Sequence, residues 1–233
     1  MTNEVDIQRD YYRNTASKYD AMHGGDAEHD FALAFMLSMV DFLDVRSILD
    51  IGSGTGRVLF QAKAARPDLA VLGIEPSAEL RKIGHAKGLS ADELVDGDAQ
   101  RLDLADGSFD LVCEFAALHH IPDPGKAVSE MLRVAKKAVF ISDSNNFGQG
   151  SALTRLVKQT LDSLGLWSVA NLVKTRGKGY TISAGDGLSY SYSVFNNYPE
   201  IARRCKSVHL LNTVPAGKNL YRSAGHIALL GVK

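Results

Sequence analysis

The chain has 233 residues, of which 45% are hydrophobic and 23% are charged, and its formal net charge at pH 7 is −1. This composition predicts an ordinary globular protein with one well-filled core, and two cysteines exclude a disulfide framework. No apolar run approaches the roughly 18 residues of a membrane span, and the first residues lack a secretory-signal pattern, so we expect a cytoplasmic protein.

The predicted elements begin with two helices, at residues 6–22 and 27–44, of which the second is strongly apolar. Short apolar runs then predict strands at residues 47–51, 70–75, 92–95, 109–114 and 138–143. Helical patterns separate them at residues 57–65, 77–86 and 125–135. This alternation is typical of parallel strands connected by helices.

The pattern changes after residue 143. An amphipathic helix at residues 152–164 is followed by a glycine-rich tract and by a hairpin that turns at residues 185–187. Residues 206–213 and 225–232 then predict two closing strands.

Charge is distributed unevenly across the same boundary. Residues 1–144 carry 15 Lys and Arg against 24 Asp and Glu, a balance of −9, whereas residues 145–233 carry 11 against 3, a balance of +8. A basic segment beside an acidic body can attract an anionic substrate or pair with another subunit, and a solvated basic face is the alternative.

The string ILDIGSGTG at residues 48–56 is the most informative feature of the sequence. Gly52, Gly54 and Gly56 alternate with Ser53 and Thr55 where a strand must turn into a helix. Because glycine has no Cβ, this backbone can bend tightly and approach a ligand closely. The segment therefore predicts a site for a nucleotide-like molecule.

The spacing of the loop argues against NAD or FAD, because the dinucleotide fingerprint needs a glycine where this chain has Arg57. Asp50 precedes the first glycine by two residues, and the pattern D-x-G-x-G-x-G resembles the first motif of class I S-adenosylmethionine-dependent methyltransferases of the small-molecule, type 11 kind. GDA at residues 97–99, DGSFDLV at 106–112 and LHHIPDP at 118–124 also resemble family motifs in the family's order. YYRNTASKYD at residues 11–20 resembles the helix that covers the cofactor in many small members.

The resemblance implies a Rossmann-like, doubly wound α/β fold with a mostly parallel seven-stranded sheet, a terminal antiparallel hairpin and S-adenosylmethionine as cofactor. It implies that Glu75 accepts hydrogen bonds from the ribose hydroxyls, and that Asp98 and Ala99 hold the adenine. The cofactor-binding residues that it implies are Tyr12, Tyr19, Asp50, Gly52, Ser53, Gly54, Gly56, Glu75, Pro76, Asp98, Ala99 and Phe115.

One domain with four parts is the expected organisation. N-terminal cap helices occupy residues 1–45, the cofactor-binding core 46–144, a substrate lid 145–205 and the closing hairpin 206–233. Two departures from the family pattern concern loop geometry: Asp103 stands in place of a proline, and Ala-Lys-Lys at residues 135–137 replaces a Pro-Gly-Gly turn.

Methyl transfer to an alcohol requires alignment of donor and acceptor and removal of the hydroxyl proton. His119 and His120 lie in the loop after the fourth strand, and we expect one of them, His120 before His119, to be the base; a purely structural role is the alternative. Asp143 could orient that histidine, or it could join the pair in holding Mg²⁺. Two histidines would suit a softer ion. His226 is expected to be a core residue.

The sequence gives less information about the acceptor. The position of the Asn/Asp-Pro-Pro-aromatic motif of nitrogen methylation reads EFAA at residues 114–117, which favours an oxygen or carbon acceptor. We expect lid aromatics to stack on a sugar, which makes a saccharide hydroxyl the favoured acceptor and a quinone-like phenol the second. These aromatics are Tyr180, Tyr190, Tyr192, Tyr198 and Trp167, although Trp167 could equally pack inside the lid.

Other functions stay open at this point. A tRNA methyltransferase would use the basic second half, but the positive charges are scattered and no RNA-binding module is recognisable, so nucleic acid is a disfavoured partner. A non-catalytic S-adenosylmethionine-binding protein and a homodimer are further alternatives.

Overall fold

The structure is a computed structural model in which residues 4–23 and 25–233 are described. Residues 1–3 and 24 of the predicted cap lie outside the described residues. The strands are β1 (Ser47–Ile51), β2 (Ala70–Ile74), β3 (Leu94–Val95), β4 (Phe109–Phe115), β5 (Ala135–Ser144), β6 (Tyr180–Ser183), β7 (Gly187–Tyr190), β8 (Ser207–Asn212) and β9 (His226–Val232). The α-helices are α1 (Glu4–Thr15), α2 (Tyr19–His23), α3 (Ala27–Phe42), α4 (Arg57–Ala65), α5 (Ala78–Ala86), α6 (Pro124–Val134), α7 (Ala152–Ser163), α8 (Trp167–Lys174) and α9 (Val194–Arg204).

Seven strands form one sheet in the order β3-β2-β1-β4-β5-β9-β8. The pairs among β1 to β5 are parallel, whereas β9 runs antiparallel to both β5 and β8. β6 and β7 form a separate antiparallel hairpin. The predicted α/β fold with a closing antiparallel strand pair is therefore confirmed.

Apolar side chains cover both faces of the sheet. On one face the buried residues of α3 and α4 pack on β1, β4 and β5, around Leu33, Met36 and Phe140. On the other face α6 and α9 pack on the same sheet, around Met131 and Ile201. The strands buried on both faces read as continuous apolar runs, as expected for a parallel sheet.

Two features of the second half differ from the sequence-based expectation. The glycine-rich tract begins with α8, a helix that the sequence patterns did not predict. α9 lies within the segment expected to be the lid, yet its Val194 and Ile201 are buried in the core of the sheet. The part of the predicted lid that lies outside the sheet layers is accordingly residues 150–191, and this segment is called the lid below.

The loop between α6 and β5 is absent, because β5 begins at Ala135 directly after the last residue of α6. The register between β4 and β5 shifts between Phe109 and Leu111, which accommodates the two lysines in place of a glycine turn. None of the described helices is both long and apolar enough to cross a bilayer.

Candidate active site

The glycine loop connects β1 to α4, and its glycines are required by geometry. Gly52, Gly54 and Gly56 all have positive φ, at 69°, 56° and 86°. A Cβ on Gly52 would lie 2.4 Å from the Cβ of Ala117, and one on Gly54 would lie 2.9 Å from the Tyr19 hydroxyl oxygen. The loop is thus closed on one side by the β4 loop and on the other by the N-terminal cap.

Two buried carboxylates hold this loop in place. Ser53 Oγ donates to Asp50 Oδ2 at 2.6 Å, and Cys113 Sγ donates to Asp50 Oδ1 at 3.7 Å. Glu75 accepts the backbone N–H of Gly54 at 3.0 Å through Oε2 and that of Ser77 at 2.7 Å through Oε1. A carboxylate can accept about four hydrogen bonds, so Glu75 retains capacity for a ligand.

Burial raises the pKa of both carboxyl groups to about 7. For Glu75 the two backbone N–H bonds oppose this increase, and for Asp50 the bond from Ser53 does. Neutral and ionised forms of both groups are thus closely balanced at physiological pH, and a cationic ligand at this site favours the ionised form.

Ten of the twelve cofactor candidates line one cavity, whereas Gly54 and Gly56 are not among its lining residues. Its volume is about 1220 Å³. The exposed Asp98 accepts hydrogen bonds from the backbone and side chain of Gln100. The cavity lining contains Tyr12, Tyr19, Asp50, Gly52, Ser53, Glu75, Pro76, Asp98, Ala99 and Phe115.

The cap is fastened to the loop by contacts that sequence reasoning missed. Thr55 Oγ1 donates to Asp20 Oδ1 at 2.6 Å, and Lys87 Nζ lies 2.5 Å from Asp20 Oδ2. The ring centroids of Tyr12 and Tyr19 are 5.9 Å apart in an edge-to-face arrangement. The cap therefore forms a wall of the cavity beside the glycine loop.

The two candidate histidines lie on a 3-10 turn directly after β4. Glu114, fully buried, orients this turn by accepting the backbone N–H groups of Ala117 and Leu118 at 2.9 and 3.4 Å. Ala116 has a φ of 57°, a conformation that is unusual for a residue with a Cβ and common at functional sites. The turn is thus held in an uncommon backbone shape that directs both histidines to the cavity.

Asp143 at the end of β5 orients His119. Its Oδ1 lies 2.7 Å from His119 Nδ1, and its Oδ2 accepts the His119 backbone N–H at 3.3 Å. Burial alone raises the pKa of Asp143, but the neighbouring His119 outweighs it and holds the value at about 2. Burial alone lowers the pKa of His119, yet Asp143 and Asp186 outweigh that effect and place it well above its ordinary value.

A third acidic residue, Asp186, comes from the turn of the β6–β7 hairpin. Its two carboxylate oxygens lie 3.4 Å from His119 Nε2 and 3.4 Å from His120 Nε2. His120 Nδ1 is held by the carbonyl oxygen of Leu188 at 2.6 Å. Each imidazole therefore has Nδ1 fixed by an acceptor and Nε2 directed at the same carboxylate.

The ligand atoms of His119, His120 and Asp186 lie within 4.8 Å of one another, and this is the group among the described residues that could hold a metal ion. Asp143 does not belong to it, because its oxygens bond to His119 and to the backbone N–H of Ser144. Two imidazoles and one carboxylate suit Zn²⁺ or Fe²⁺ better than Mg²⁺.

His226 differs from its expected place in the core. It lines the cavity, with Nδ1 2.6 Å from Thr213 Oγ1 and its ring 4.6 Å from that of His29. Its Nε2 is buried without a hydrogen-bond partner among the described residues. Burial lowers its pKa, so the ring is neutral at pH 7. A bound polar molecule could satisfy this nitrogen.

The aromatic residues expected in the lid divide into two groups. Tyr180, Tyr190 and Tyr192 line the cavity. Tyr198 lies on α9, outside the cavity wall, and is 37% exposed, so its expected place beside the acceptor is wrong. Trp167 packs against Phe147 with ring centroids 5.7 Å apart, which agrees with the alternative of packing inside the lid.

Comparison with known proteins agrees with this arrangement. Residues 49–141 match the sequence model of the family described as "Methyltransferase domain". The magnesium protoporphyrin IX methyltransferase of Synechocystis PCC 6803, solved with bound S-adenosylhomocysteine, has a TM-score of 0.61 at 13% identity, covering 99% of this chain and all of that one. Residues 49–141 of this chain therefore resemble a methyltransferase domain, and the chain shares the fold of the solved enzyme.

Two curated relatives have higher sequence identity over shorter segments. The ajmaline N-methyltransferase of Rauvolfia serpentina is 36% identical over 101 residues, which are 41% of this chain and 34% of that enzyme. The demethylmenaquinone methyltransferase of Staphylococcus aureus strain JH9 is 31% identical over 130 residues, 54% of either chain. The matched segments thus span about a third to a half of the relatives' lengths. The match to the family model includes the glycine loop and the histidine turn.

Proposed function

We propose that this methyltransferase domain transfers a methyl group from S-adenosylmethionine to a hydroxyl of a small polar molecule, with a sugar or saccharide as the favoured acceptor. The observation that carries the proposal is that the glycine loop, Glu75 and Asp98 share one cavity with His119, His120 and Asp143. A donor held at one end of this cavity and an acceptor held at the other can meet without an intervening wall.

In the proposed reaction the acceptor oxygen attacks the methyl carbon of the sulfonium. A C–O bond forms as the C–S bond breaks, the electron pair of that bond stays on sulfur, and S-adenosylhomocysteine leaves. We assign the hydroxyl proton to His120 Nε2, which accepts it in the neutral tautomer whose Nδ1–H donates to Leu188, and the nearby Asp186 carboxylate then stabilises the resulting imidazolium. His119, between Asp143 and Asp186, supports the site electrostatically.

The wall at the acceptor end supports a polar acceptor. It contains amide, hydroxyl and imidazole groups, including the unpartnered Nε2 of His226. These groups match an acceptor with several hydroxyls better than an apolar ring system. The wall residues in question are Asn146, Gln149, Asn171, Thr175, Thr181, Ser189, Ser191 and His226.

A phenol is the second candidate acceptor, because a relative acts on demethylmenaquinone. The rings of Tyr180 and Tyr190, with centroids 6.1 Å apart, could stack on such a molecule. The Tyr190 hydroxyl donates to Glu4 and that of Tyr192 to Asn197, so these two rings offer faces rather than free donors. Ring stacking alone does not separate a sugar from a phenol.

The test has two stages. Calorimetry with S-adenosylmethionine and S-adenosylhomocysteine measures binding, and we expect one site that Glu75→Ala weakens. The chain is then incubated with methyl-labelled cofactor and separate panels of saccharides, phenols and tRNA. Labelled O-methyl saccharide supports the favoured acceptor, label in the phenols or tRNA identifies the alternatives, and binding without any turnover would indicate a non-catalytic protein.

The metal alternative has a separate test. If His119, His120 and Asp186 hold an ion for the reaction, exhaustive chelation abolishes turnover and Zn²⁺ or Fe²⁺ restores it better than Mg²⁺. If His120 acts as a simple base, chelation leaves turnover unchanged. Co²⁺ absorption of the wild-type chain and of Asp186→Asn shows directly whether the three side chains bind metal.

A further inference from the structure

Helix α7 of the lid is attached to the rest of the protein by its polar side chains. Lys158 is buried and its Nζ donates to the backbone and side-chain oxygens of Asn146. Gln159 donates to main-chain oxygens of the protein body, and Asp162 Oδ2 accepts the Tyr221 hydroxyl at 2.6 Å. In an ordinary surface helix the apolar stripe would face the protein and these residues would face water.

Most apolar residues of α7 and its C-cap instead face outward, and Leu161 is half-buried. Leu153, Leu156, Val157 and Leu164 recur at helical spacing, and Leu153 is 72% exposed. α8 continues the pattern, since none of its residues is buried and Val173 is 76% exposed. The exposed apolar residues of the two helices and the neighbouring hairpin are Leu153, Leu156, Val157, Leu164, Leu166, Val169, Leu172, Val173 and Ile182.

Positive charge accompanies this apolar face. Residues 151–182 contain five basic side chains against one acidic side chain, Asp162, a balance of +4. Apart from the buried Lys158, the basic residues are Arg155, Lys174, Arg176 and Lys178. None of these four forms an ion pair within the described ranges 4–23 and 25–233.

We propose that the α7–α8 face docks on the surface of an anionic lipid bilayer. A large exposed apolar patch marks an interaction site, and aliphatic residues with flanking Lys and Arg are the chemistry of interfacial helices that lie in the headgroup region. The basic side chains add attraction to the negative surface potential of such a membrane. The face rests on the bilayer without spanning it.

Charge favours a bilayer over a second copy of the chain. Two copies that met through this face would bring the basic side chains of Arg155, Lys174, Arg176 and Lys178 towards one another, and like charges across an interface oppose association. An anionic bilayer is complementary to the same face in both charge and hydropathy. Dimerisation through the face is therefore an outcome that the experiment must distinguish.

The same helix borders the candidate acceptor site. Asn171 and Lys174 of α8 line the cavity together with Thr175, which follows the helix. Val169 and Val173 of α8 belong to the outer face. Docking would place the acceptor end of the cavity close to lipid headgroups. As a consequence that rests on the proposed function, the methylated hydroxyl would belong to a polar head carried by a lipid.

The experiment is flotation of the full chain with vesicles of phosphatidylcholine alone and of equal parts phosphatidylcholine and phosphatidylglycerol. We expect binding to the anionic vesicles that weakens with salt, and binding to neutral vesicles at least about tenfold weaker. The combined variant Leu153→Gln, Leu156→Gln, Val169→Gln and Val173→Gln should lose flotation. Arg176→Glu with Lys178→Glu should weaken it by roughly fivefold or more per residue.

The matched control is Phe42→Gln, which removes an exposed apolar side chain, 78% accessible, at the end of α3. It should float like the wild type, and all variants should keep the circular dichroism and cofactor affinity of the wild type.

No flotation of the wild type, or equal flotation of the four-residue variant, overturns the proposal. Concentration-dependent dimerisation that the four-residue variant abolishes, without vesicle binding, assigns the face to a second copy. Cofactor binding is measured separately, so failure of docking and failure of methyl transfer are distinguishable.

Discussion

The sheet core at residues 46–144 and the lid at residues 150–191 follow opposite structural rules. In the core, apolar strands are buried on both faces and buried carboxylates such as Asp50 and Glu75 are each held by hydrogen bonds. In the lid, α7 buries Lys158 and exposes Leu153 and Leu156. The core is thus stabilised by its own packing, whereas the lid has an exposed apolar surface of the kind that binds a partner or substrate.

The largest predicted effect on the contrast between core and lid is a loss of catalytic rate at the histidine turn. His120→Ala should reduce kcat by about 10²- to 10⁴-fold, because removal of a general base costs that much, with the cofactor Kd unchanged. Initial rates with the acceptor found by the labelling assay measure it. His209→Ala, which removes an exposed histidine of β8, is the control and should leave kcat unchanged. Equal rates for His120→Ala and wild type would exclude the base assignment.

The next largest predicted effect is on cofactor affinity, at the end of the cavity that contains the glycine loop. Glu75→Ala should weaken S-adenosylmethionine binding at least about 100-fold, roughly 3 kcal/mol, since two hydrogen bonds to a charged group are lost together with the anchor of the Gly54 amide. Calorimetric titration measures the Kd. Asp103→Ala removes an exposed carboxylate of the same region and should leave it unchanged. A wild-type Kd for Glu75→Ala contradicts the ribose assignment.

The titration of Asp50 and Glu75 predicts a smaller effect. Both pKa values are raised to about 7 in the unliganded fold, and the cationic cofactor favours the ionised forms. Affinity should therefore increase several-fold, up to about tenfold per carboxyl group, between about pH 6 and pH 7.5, where the ligand amine stays protonated. A flat affinity profile excludes this titration.

The same raised pKa values affect the stability of the unliganded chain. The folded state holds protons that the unfolded state releases, so the free energy of unfolding should fall over the interval from about pH 4 to 7.

The smallest expected effect tests whether the lid is separable from the core. Gly187 has a φ of 70°, and a Cβ there would lie 2.4 Å from Gln8 Oε1. Gly187→Ala should loosen the hairpin from α1, raise hydrogen exchange at residues 4–15 and 180–190, and shift the melting temperature of the core by no more than a few degrees. Gly185→Ala, where a Cβ meets open space, should change neither. A large loss of core stability in Gly187→Ala would show that lid and core form one cooperative unit.

The same contrast explains what could be predicted from the sequence. The strands and helices of the core have local signals, and α4 begins and ends at the predicted residues 57 and 65. Within the second half, α9 has the apolar spacing of an amphipathic helix and Ser193 as its N-cap, but Pro199 inside the segment counts against a helix and masked this pattern. The hydrophobic periodicity of the sequence was thus enough to predict the fold. The contribution of α9 to the core became visible only from its packing in the structure.

The candidate site was only partly predictable for a similar reason. The glycine loop and the histidine turn are each a short continuous stretch of sequence that follows a predicted parallel strand. Their residues could therefore be placed on the same edge of the sheet. Asp186 reaches the histidines across more than 60 residues, and Gln8 reaches Leu188 across 180, and no local pattern indicates such pairings. Lone acidic or amide residues in turns are common, so a long-range contact of this kind becomes visible only in three dimensions.

The thiol beneath the glycine loop gives the core an internal reporter. Cys113 is fully buried in β4 against Asp50, whereas Cys205 is partly accessible at the end of α9. A thiol reagent should modify Cys205 in the folded chain but should reach Cys113 only when the central strands separate. The slow phase of labelling therefore measures the opening frequency of the sheet, and a ligand seated on the glycine loop should slow it in proportion to its occupancy.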